Sequence, residues 1–550
     1  MSGIPETVRE LVIHDEVDRA KTLLQSGRPE AALEIGLRLQ QECPDNPESW
    51  RVLGSARADL DQDLEGIAAF EKVVELDPND LNAHLILGIL NERKGNVADA
   101  ISWFSKLLRL DPHHATGIKQ LGDCINRIQK QGVITKSLRK ALREFAVVYQ
   151  NILDTRDITT TSTHHFQLFA IYFLLDDMSR AKTVIESALT LDYDRHLSLQ
   201  NYGTLLRALG ADSEAESCFR EAIALDQSRG DYFYALAELI LKKLDFKNGF
   251  RLYESRWDDH GFNNPKLKTE RPIWNGNSAN HLLIWPEQGI GDAIMMMRLL
   301  PLAAEKCRNI TVLCDQRLIK LFEPLAPENV NFESANVFLK AEGKLDIRAF
   351  DEHIPLMSLP LALEFDQELL RSRKQEVLKA TKKQSVCAEL VEKNLVGRNL
   401  IGISWRTKSQ ATTNKFRNID IVELVAPLAD TGSVLVSLQY GDVNAEVKRV
   451  KAELGVDIIT LDSLDTSSDI DGLAYLISLC RHVVTIDNFT VHLAGSLGVS
   501  THLLVPLFSD WRWGPQGSRH SYWYDSVQLQ WQGEANNWSD TVAKLVGDLK

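Results

Sequence analysis

Apolar residues in the first half of the chain fall into paired helical stripes that recur at a fixed step. The segment "NPESWRVLGSARADLDQDLEGIAAFEKVVELDPND" is followed by "LNAHLILGILNERKGNVADAISWFSKLLRLDPHH". Leu53-Gly54, Leu87-Gly88 and Leu121-Gly122 stand 34 residues apart; Phe70 and Phe104 keep that step, as do Pro44, Pro78 and Pro112. Leu beside Gly puts a knob and a gap on the first helix of each unit. Gly66 and Ala100 let the second helix approach closely, and a Pro beyond its end stops it. The phase slips near 149–162, at "NILDTRDITTTSTHH", and returns with Ala181, Gly203, Ala215 and Phe219. A last hairpin, "DYFYALAELILKKLDFKNGFRLYESRW", closes at Trp257. The pattern over 1–257 gives about six units, the fourth poorly matched in its second helix. One such hairpin cannot bury its own apolar face, so the units must stack.

After a linker over 258–280 the rhythm changes to short apolar runs alternating with amphipathic helices. "LLIW", "ITVLC" and "DEHIPLMSLP" form one series; "NLIGISW", "GSVLVSLQ", "DIITL" and "HVVTIDN" form a second. Buried runs of this length separated by helices predict parallel, doubly wound sheets. The charged helical stretch "LLRSRKQEVLKATKKQSVCAELVEKNLVGRN" lies between the two series. The expected fold class is α followed by α/β: an α-solenoid over 1–257, then Rossmann-like lobes over 281–380 and 381–550.

Composition narrows the function. A chain of 550 residues is too long for one core. A net charge of −14 argues against a nucleic-acid groove. The seven cysteines stand far apart with no CxxC, which predicts reduced thiols and no zinc site. The start lacks the apolar stretch of a secretory signal, and no window is long and pure enough for a membrane span. A cytoplasmic location is the expectation.

The repeat period, its small residues in fixed slots and its closing Asp-Pro resemble the tetratricopeptide pattern. Such arrays commonly grip a protein or peptide in a groove; a passive spacer is the plainer use. In the second half, "LYESRW" leading to "WNG", then "EQGIGD", "IPLMSLP", "ISWR", "SLQYGD", "TIDNFTVHLAGSLG" and "DWRWG…SYWY" follow in order. That order resembles bacterial tetratricopeptide proteins fused to a heptosyltransferase-like (family 9) glycosyltransferase domain of GT-B layout, flagellin-modifying enzymes among them. The resemblance implies inverting transfer of a sugar from a nucleotide-sugar donor to a protein held by the repeats, with no cofactor.

Candidate residues come from these motifs. In "EQGIGD", Gly289 and Gly291 allow a tight strand-to-helix turn, with Glu287 and Gln288 on the acceptor-side loop. The resemblance makes Asp292, at the start of the next helix, the general base, with Glu287 in reserve; capping that helix is its structural role. In "VVTIDNFTVHLAGSLG" a strand ends at Ile486 and a helix follows, its free N–H groups suited to a diphosphate. Asn488 or Thr490 would cap that helix, Asp487 would take hydroxyls, and His492 would donate to a phosphate oxygen. An Asx-capped helix with a packed histidine is the plainer reading. In and beyond "ISW", Trp405 is expected on the donor side, and Arg406, Lys408, Lys415 and Arg417 gather cations suited to a leaving pyrophosphate. Gln439 and Tyr440 lie past a strand end where a nucleotide base would fit. Asp-x-Asp occurs only in the repeats and as Asp469 and Asp471 in the second lobe, so no metal site is expected. Trp511 and Trp513 close a core edge. The family often has Asp-Thr-Ala where this chain has Asp487-Asn488-Phe489, and Phe489 adds bulk beside the pocket. The alternatives are a non-catalytic adaptor with degenerate lobes, or a lipopolysaccharide-type transferase.

Overall fold

The protein is described by a computed structural model covering residues 6–132, 134–155, 162–192, 194–259, 261–262, 264–336, 350–372, 378–407, 416–534 and 537–549. The chain divides into two compact units, one mainly of Met1–Asn201 and one of Tyr202–Ser409 and Thr413–Lys550.

The first unit is helical throughout. In order it holds α1 (Glu6–Gln25), α2 (Pro29–Glu42), α3 (Pro47–Asp59), α4 (Asp63–Leu76), α5 (Leu81–Arg93), α6 (Val97–Leu110), α7 (Ala115–Gln131), α8 (Lys136–Asp154), α9 (Ser162–Leu174) and α10 (Met178–Thr190). The division falls inside α11 (Arg195–Ala208); α12 (Asp212–Leu225), α13 (Gly230–Lys242) and α14 (Phe246–Tyr253) belong to the second unit. The helical segments therefore run on to the border expected near Trp257, while the compact units part earlier.

The 34-residue step has a direct packing cause. A Cβ on Gly54 would lie 2.8 Å from the Phe70 ring, one on Gly88 2.3 Å from Phe104, and one on Gly203 2.6 Å from Phe219. Each glycine is the floor on which the aromatic ring of its own unit rests. In the α7–α8 unit the neighbour of Gly122 is instead Gln167 of α9, at 2.8 Å, so this glycine seats a polar side chain of the following helix. The α1–α2 pair precedes the units read from the sequence; it lacks the Leu-Gly pair, and Gly36 serves instead as the seat for Leu53. The Thr-rich interruption at 156–161 lies outside the described residues. Replacing Gly88 by Ala should cost about 1–3 kcal/mol, since a packed ring must move. Gly547→Ala, where a Cβ meets open space, is the control. Denaturant unfolding followed by helical circular dichroism checks both, and equal midpoints would refute the packing argument.

The second unit contains two parallel sheets. The first is β1 (Ala279–Trp285), β2 (Cys307–Cys314), β3 (Val330–Ser334) and β4 (Glu352–Pro355), in the order β3-β2-β1-β4. The second is β5 (Leu400–Ser404), β6 (Val434–Ser437), β7 (Ile458–Ile459), β8 (His482–Ile486), β9 (Thr501–Val505) and β10 (Val527–Trp531), in the order β10-β9-β8-β5-β6-β7. The register pairs Ile284 with Val312 in the first sheet and Ile403 with Val484 in the second. β5 and β9 are buried along their whole length, which accounts for the apolar run of β5; β9 opens on the buried polar pair Thr501 and His502. β3 and β10 sit at sheet edges and alternate in burial, so neither shows an unbroken apolar run in the sequence. Each sheet reverses direction once, between β1 and β4 and between β5 and β8. Ligands of such sheets sit outside the carboxyl ends at those points.

The last helical pair packs onto the sheets. Phe250 meets Trp511 edge-on at 5.6 Å between ring centroids, and Phe246 meets Trp523 at 5.9 Å. Trp511 and Trp513 are fully buried, as expected for a core edge. Among the described residues no helix is long and apolar enough to cross a membrane.

Candidate functional site

The turn after β1 carries most of the chemistry predicted for the first lobe. Gln288 takes the left-handed conformation (φ 60°), an uncommon one for a residue with a side chain. Its N–H donates to Asn264 Oδ1 at 3.0 Å, and its amide group meets the Tyr253 hydroxyl on one side and Arg512 on the other. Gly289 caps α15 (Ile290–Met296) at φ −95°, a backbone open to any residue, so its expected conformational role is not what the turn uses. Gly291 is needed for space. A Cβ there would lie 2.8 Å from His492 Cδ2, because α15 packs directly on the helix Phe489–Ser496 of the second lobe.

Asp292 is the third residue of α15. Its Oδ2 accepts from the Gly289 N–H at 3.0 Å, the capping role, and its Oδ1 accepts from the Arg512 guanidinium. Glu287 is no reserve base. Its side chain is wholly buried and held by two 2.8 Å bonds from Arg256, with a third from the Met357 N–H at 3.0 Å. Arg256 also binds Ser358 Oγ and Glu254 Oε1, each at 2.8 Å. This cluster ties the end of the last helical pair to the exits of β1 and β4.

From Asp292 a chain of charges crosses to the second lobe. Arg512 binds Asp510 Oδ1 at 2.6 Å, Arg417 reaches Asp510 Oδ2 at 3.2 Å, and Arg417 also meets Asp487 Oδ2 at 3.3 Å. Burial opposes ionisation of Asp510, yet Arg512 and Arg417 beside it hold its carboxyl well below the usual range. Asp487, at the outer end, is pushed up by burial, with Arg417 opposing.

Several donor-side expectations meet other geometry. Gln439 is buried, its Oε1 accepting from the N–H groups of Trp405 (2.9 Å) and Arg406 (3.0 Å), its Nε2 donating to Arg406 O (3.0 Å). It staples the loop after β5 and is not free to read a base. Trp405 is buried and donates to Glu446 at 2.9 Å. Arg406 is committed to Glu446 at 3.0 and 3.1 Å. Asn488 is the cap, its Oδ1 accepting from Thr490 N–H at 2.9 Å and its Nδ2 donating to Ser404 Oγ at 2.8 Å. Thr490 is wholly buried. Lys408 and Lys415 lie outside the described residues.

His492 is the packed histidine of the plainer reading. Nδ1 lies 2.9 Å from the Tyr524 hydroxyl, and the ring lies 5.3 Å from Trp513. Burial, helped by the nearby Arg512, lowers its pKa to about 3. A donor role as an imidazolium is therefore not available at neutral pH. Since the unfolded group titrates near 6.5, the unfolded chain binds the extra proton first as pH falls. Stability linked to His492 is thus present above about pH 6.5 and lost as pH drops toward about 3. His492→Gln should flatten that decline in urea unfolding measured across the range; an unchanged slope would count against the burial argument.

Between the two sheets lies a cavity of about 290 Å³. Ile290, Gly291 and Arg317 of the first lobe wall one side, and Thr407, Tyr440, Thr466, Ser467, Ile470, Asn488 and Phe489 of the second wall the other. Arg317 pairs with Asp315 and donates to Ser467 O across the cleft at 2.7 Å. Asp292 follows the Gly291 wall in sequence. Among the described residues, Arg406, Arg417, Arg512 and Arg317 each already face a carboxylate. Sequence reasoning missed Arg256, Arg317, Asp510 and Arg512. Three of these stand inside motifs it had picked out, "LYESRW" and "DWRWG", where a charge among aromatic residues signals a buried ion pair.

Comparison with known proteins adds the first half's family. Models described as "Tetratricopeptide repeat" match residues 17–80, 64–115 and 197–229. The chain carries tetratricopeptide repeats. It is 23% identical over 523 residues to protein FlbA of Caulobacter vibrioides, covering 91% of this chain and 84% of that one. It is 25% identical over 215 residues to the peroxisomal targeting signal receptor of Saccharomyces cerevisiae, covering 38% of this chain and 34% of the receptor. A solved tetratricopeptide repeat protein from Parabacteroides merdae aligns over 44% of this chain and 91% of its own length, at 10% identity and a TM-score of 0.27. Tetratricopeptide repeats are protein-interaction elements, and their stacked hairpins supply an extended surface for a protein partner.

Proposed function

We propose that the protein is a glycosyltransferase of GT-B type, which moves a sugar from a nucleotide-sugar donor to a protein recruited by the tetratricopeptide repeats. The observation that carries this reading is the cavity walled by both sheet lobes at the carboxyl ends of their strands, one residue from Asp292. In the proposed step an acceptor hydroxyl attacks the anomeric carbon with inversion. Its oxygen forms the new bond, its proton passes to the Asp292 carboxylate, and the old bond to the phosphate breaks to release a nucleoside diphosphate. Asp292 would have to exchange its Arg512 contact for the acceptor. Arg417 pairs with Asp487, the sequence neighbour of the Asn488 wall, and would serve the diphosphate only by giving up that partner. Metal independence rests on the use already made of the one Asp-x-Asp pair in the lobes: Asp469 caps a helix and Asp471 pairs with Lys383 at 2.7 Å.

Support for a protein acceptor comes from the repeats, and from the likeness to a receptor whose name states that it takes a targeting signal. The test has two parts. Nucleotides and nucleotide sugars are screened by thermal shift, and intact masses of cell proteins, flagellin included, are compared with and without the gene. A stabilising nucleotide sugar and a lost mass increment of one sugar support the proposal. Binding without any mass change would favour a scaffold.

A further inference from the structure

We infer that Tyr440 and Phe489 form the aromatic wall of a nucleobase slot and set which donors the cavity accepts. The inference rests on the transferase reading and assigns one part of its site. The two rings lie 5.6 Å apart between centroids at 43°, and both line the cavity. Facing them across the cleft are Ile290 and Gly291, with Ile470 also on the cavity wall. Gly291 cannot carry a side chain because His492 stands behind it, so that wall stays flat.

The polar rim is fixed before any ligand arrives. Thr466 Oγ1 donates to Gln439 O at 2.9 Å, Ser467 Oγ accepts from Gly441 N–H at 3.1 Å, and Tyr440 donates to Thr407 Oγ1 at 3.4 Å. The Thr466 and Ser467 oxygens keep lone pairs for an edge bearing N–H donors. A slot with aromatic and aliphatic faces and a hydroxyl rim suits a flat heterocycle with a polar edge. It does not suit a bare phosphate, since Arg317, the cation on its wall, is paired with Asp315. A volume of about 290 Å³ stands at the low end of small-molecule sites, roughly 300 Å³, enough for a base and part of its ribose but not for a whole nucleotide sugar. Phe489 thereby uses space that a small residue would leave open.

The test is calorimetric titration of the full chain with UDP, GDP, CDP, ADP and inorganic pyrophosphate. The same titrations follow for Phe489→Ala, Tyr440→Ala and Phe489→Trp, each first checked for an unchanged melting temperature without ligand. Stacking on an aromatic ring predicts that the best nucleoside diphosphate binds about ten-fold or more weakly to each alanine variant. Phe489→Trp keeps the affinity, and pyrophosphate binding is unmoved in all three. A nucleoside diphosphate that binds the parent and both alanine variants equally overturns the slot and leaves the transferase reading standing. So does a pyrophosphate affinity that falls in step. If none of the four nucleotides binds the parent, the transferase reading fails and the slot with it.

Discussion

Arg256→Met is expected to lower the stability of the second unit by about 3–5 kcal/mol, the cost of leaving a buried charge without its partner. Glu287 would keep only the Met357 N–H, inside a site its side chain cannot leave. The double variant Arg256→Met/Glu287→Met removes both charges and should recover most of the loss, because burying two ions is itself costly. Urea unfolding followed by tryptophan fluorescence reads the effect, since Arg256 lies over the Trp257 ring at 4.8 Å. A single variant as stable as the parent would mean that the cluster is not the tie it looks to be. The gap between single and double variants measures the coupling itself.

Under the proposed reaction, Asp292→Asn should reduce turnover by about 10²–10⁴-fold, the usual worth of a general base, while donor affinity stays nearly constant. Asparagine keeps the shape and can still accept from the Gly289 N–H, so α15 retains its cap. The carboxylate's hold on Arg512 weakens, and a modest fall in melting temperature is expected beside the loss of rate. The distinguishing measurement is kcat against donor KM at saturating acceptor. Loss confined to kcat fits a base. A variant with full turnover removes Asp292 from the chemistry, and a rise in KM alone reassigns it to holding the cleft together through Arg512.

The sequence was most legible where one residue type answers one physical need. Gly54 and Gly88, one 34-residue step apart, are steric seats for Phe70 and Phe104, and a Cβ at either would meet the ring below 3 Å. β5 is buried on both faces, so its run is nearly all apolar and was read as a strand. β3 and β10 left no such mark because edge strands alternate, and β9 was missed because it opens on the buried polar residues Thr501 and His502. The site was harder to read because a charged residue carries no label for its partner. Arg406 and Arg417 look alike in sequence as phosphate ligands, yet one is spent on Glu446 and the other on two aspartates. Gln439 was expected at a base and is a backbone staple. Glu287 and His492 are both buried, and burial is a property of the folded chain that a motif does not state. Asp292 was found because its glycine-flanked turn is local, while its partner Arg512 stands 220 residues away.

The packing of Phe246 and Phe250 against Trp511 and Trp523 bears on how such a gene can be taken apart or recombined. A cut at the last repeat's sequence border would strip the sheets of their aromatic lining and leave a sticky, aggregation-prone fragment. An exchange of recognition arrays between relatives has to leave the final helices behind with the sheets, so new specificity would enter upstream of Tyr202.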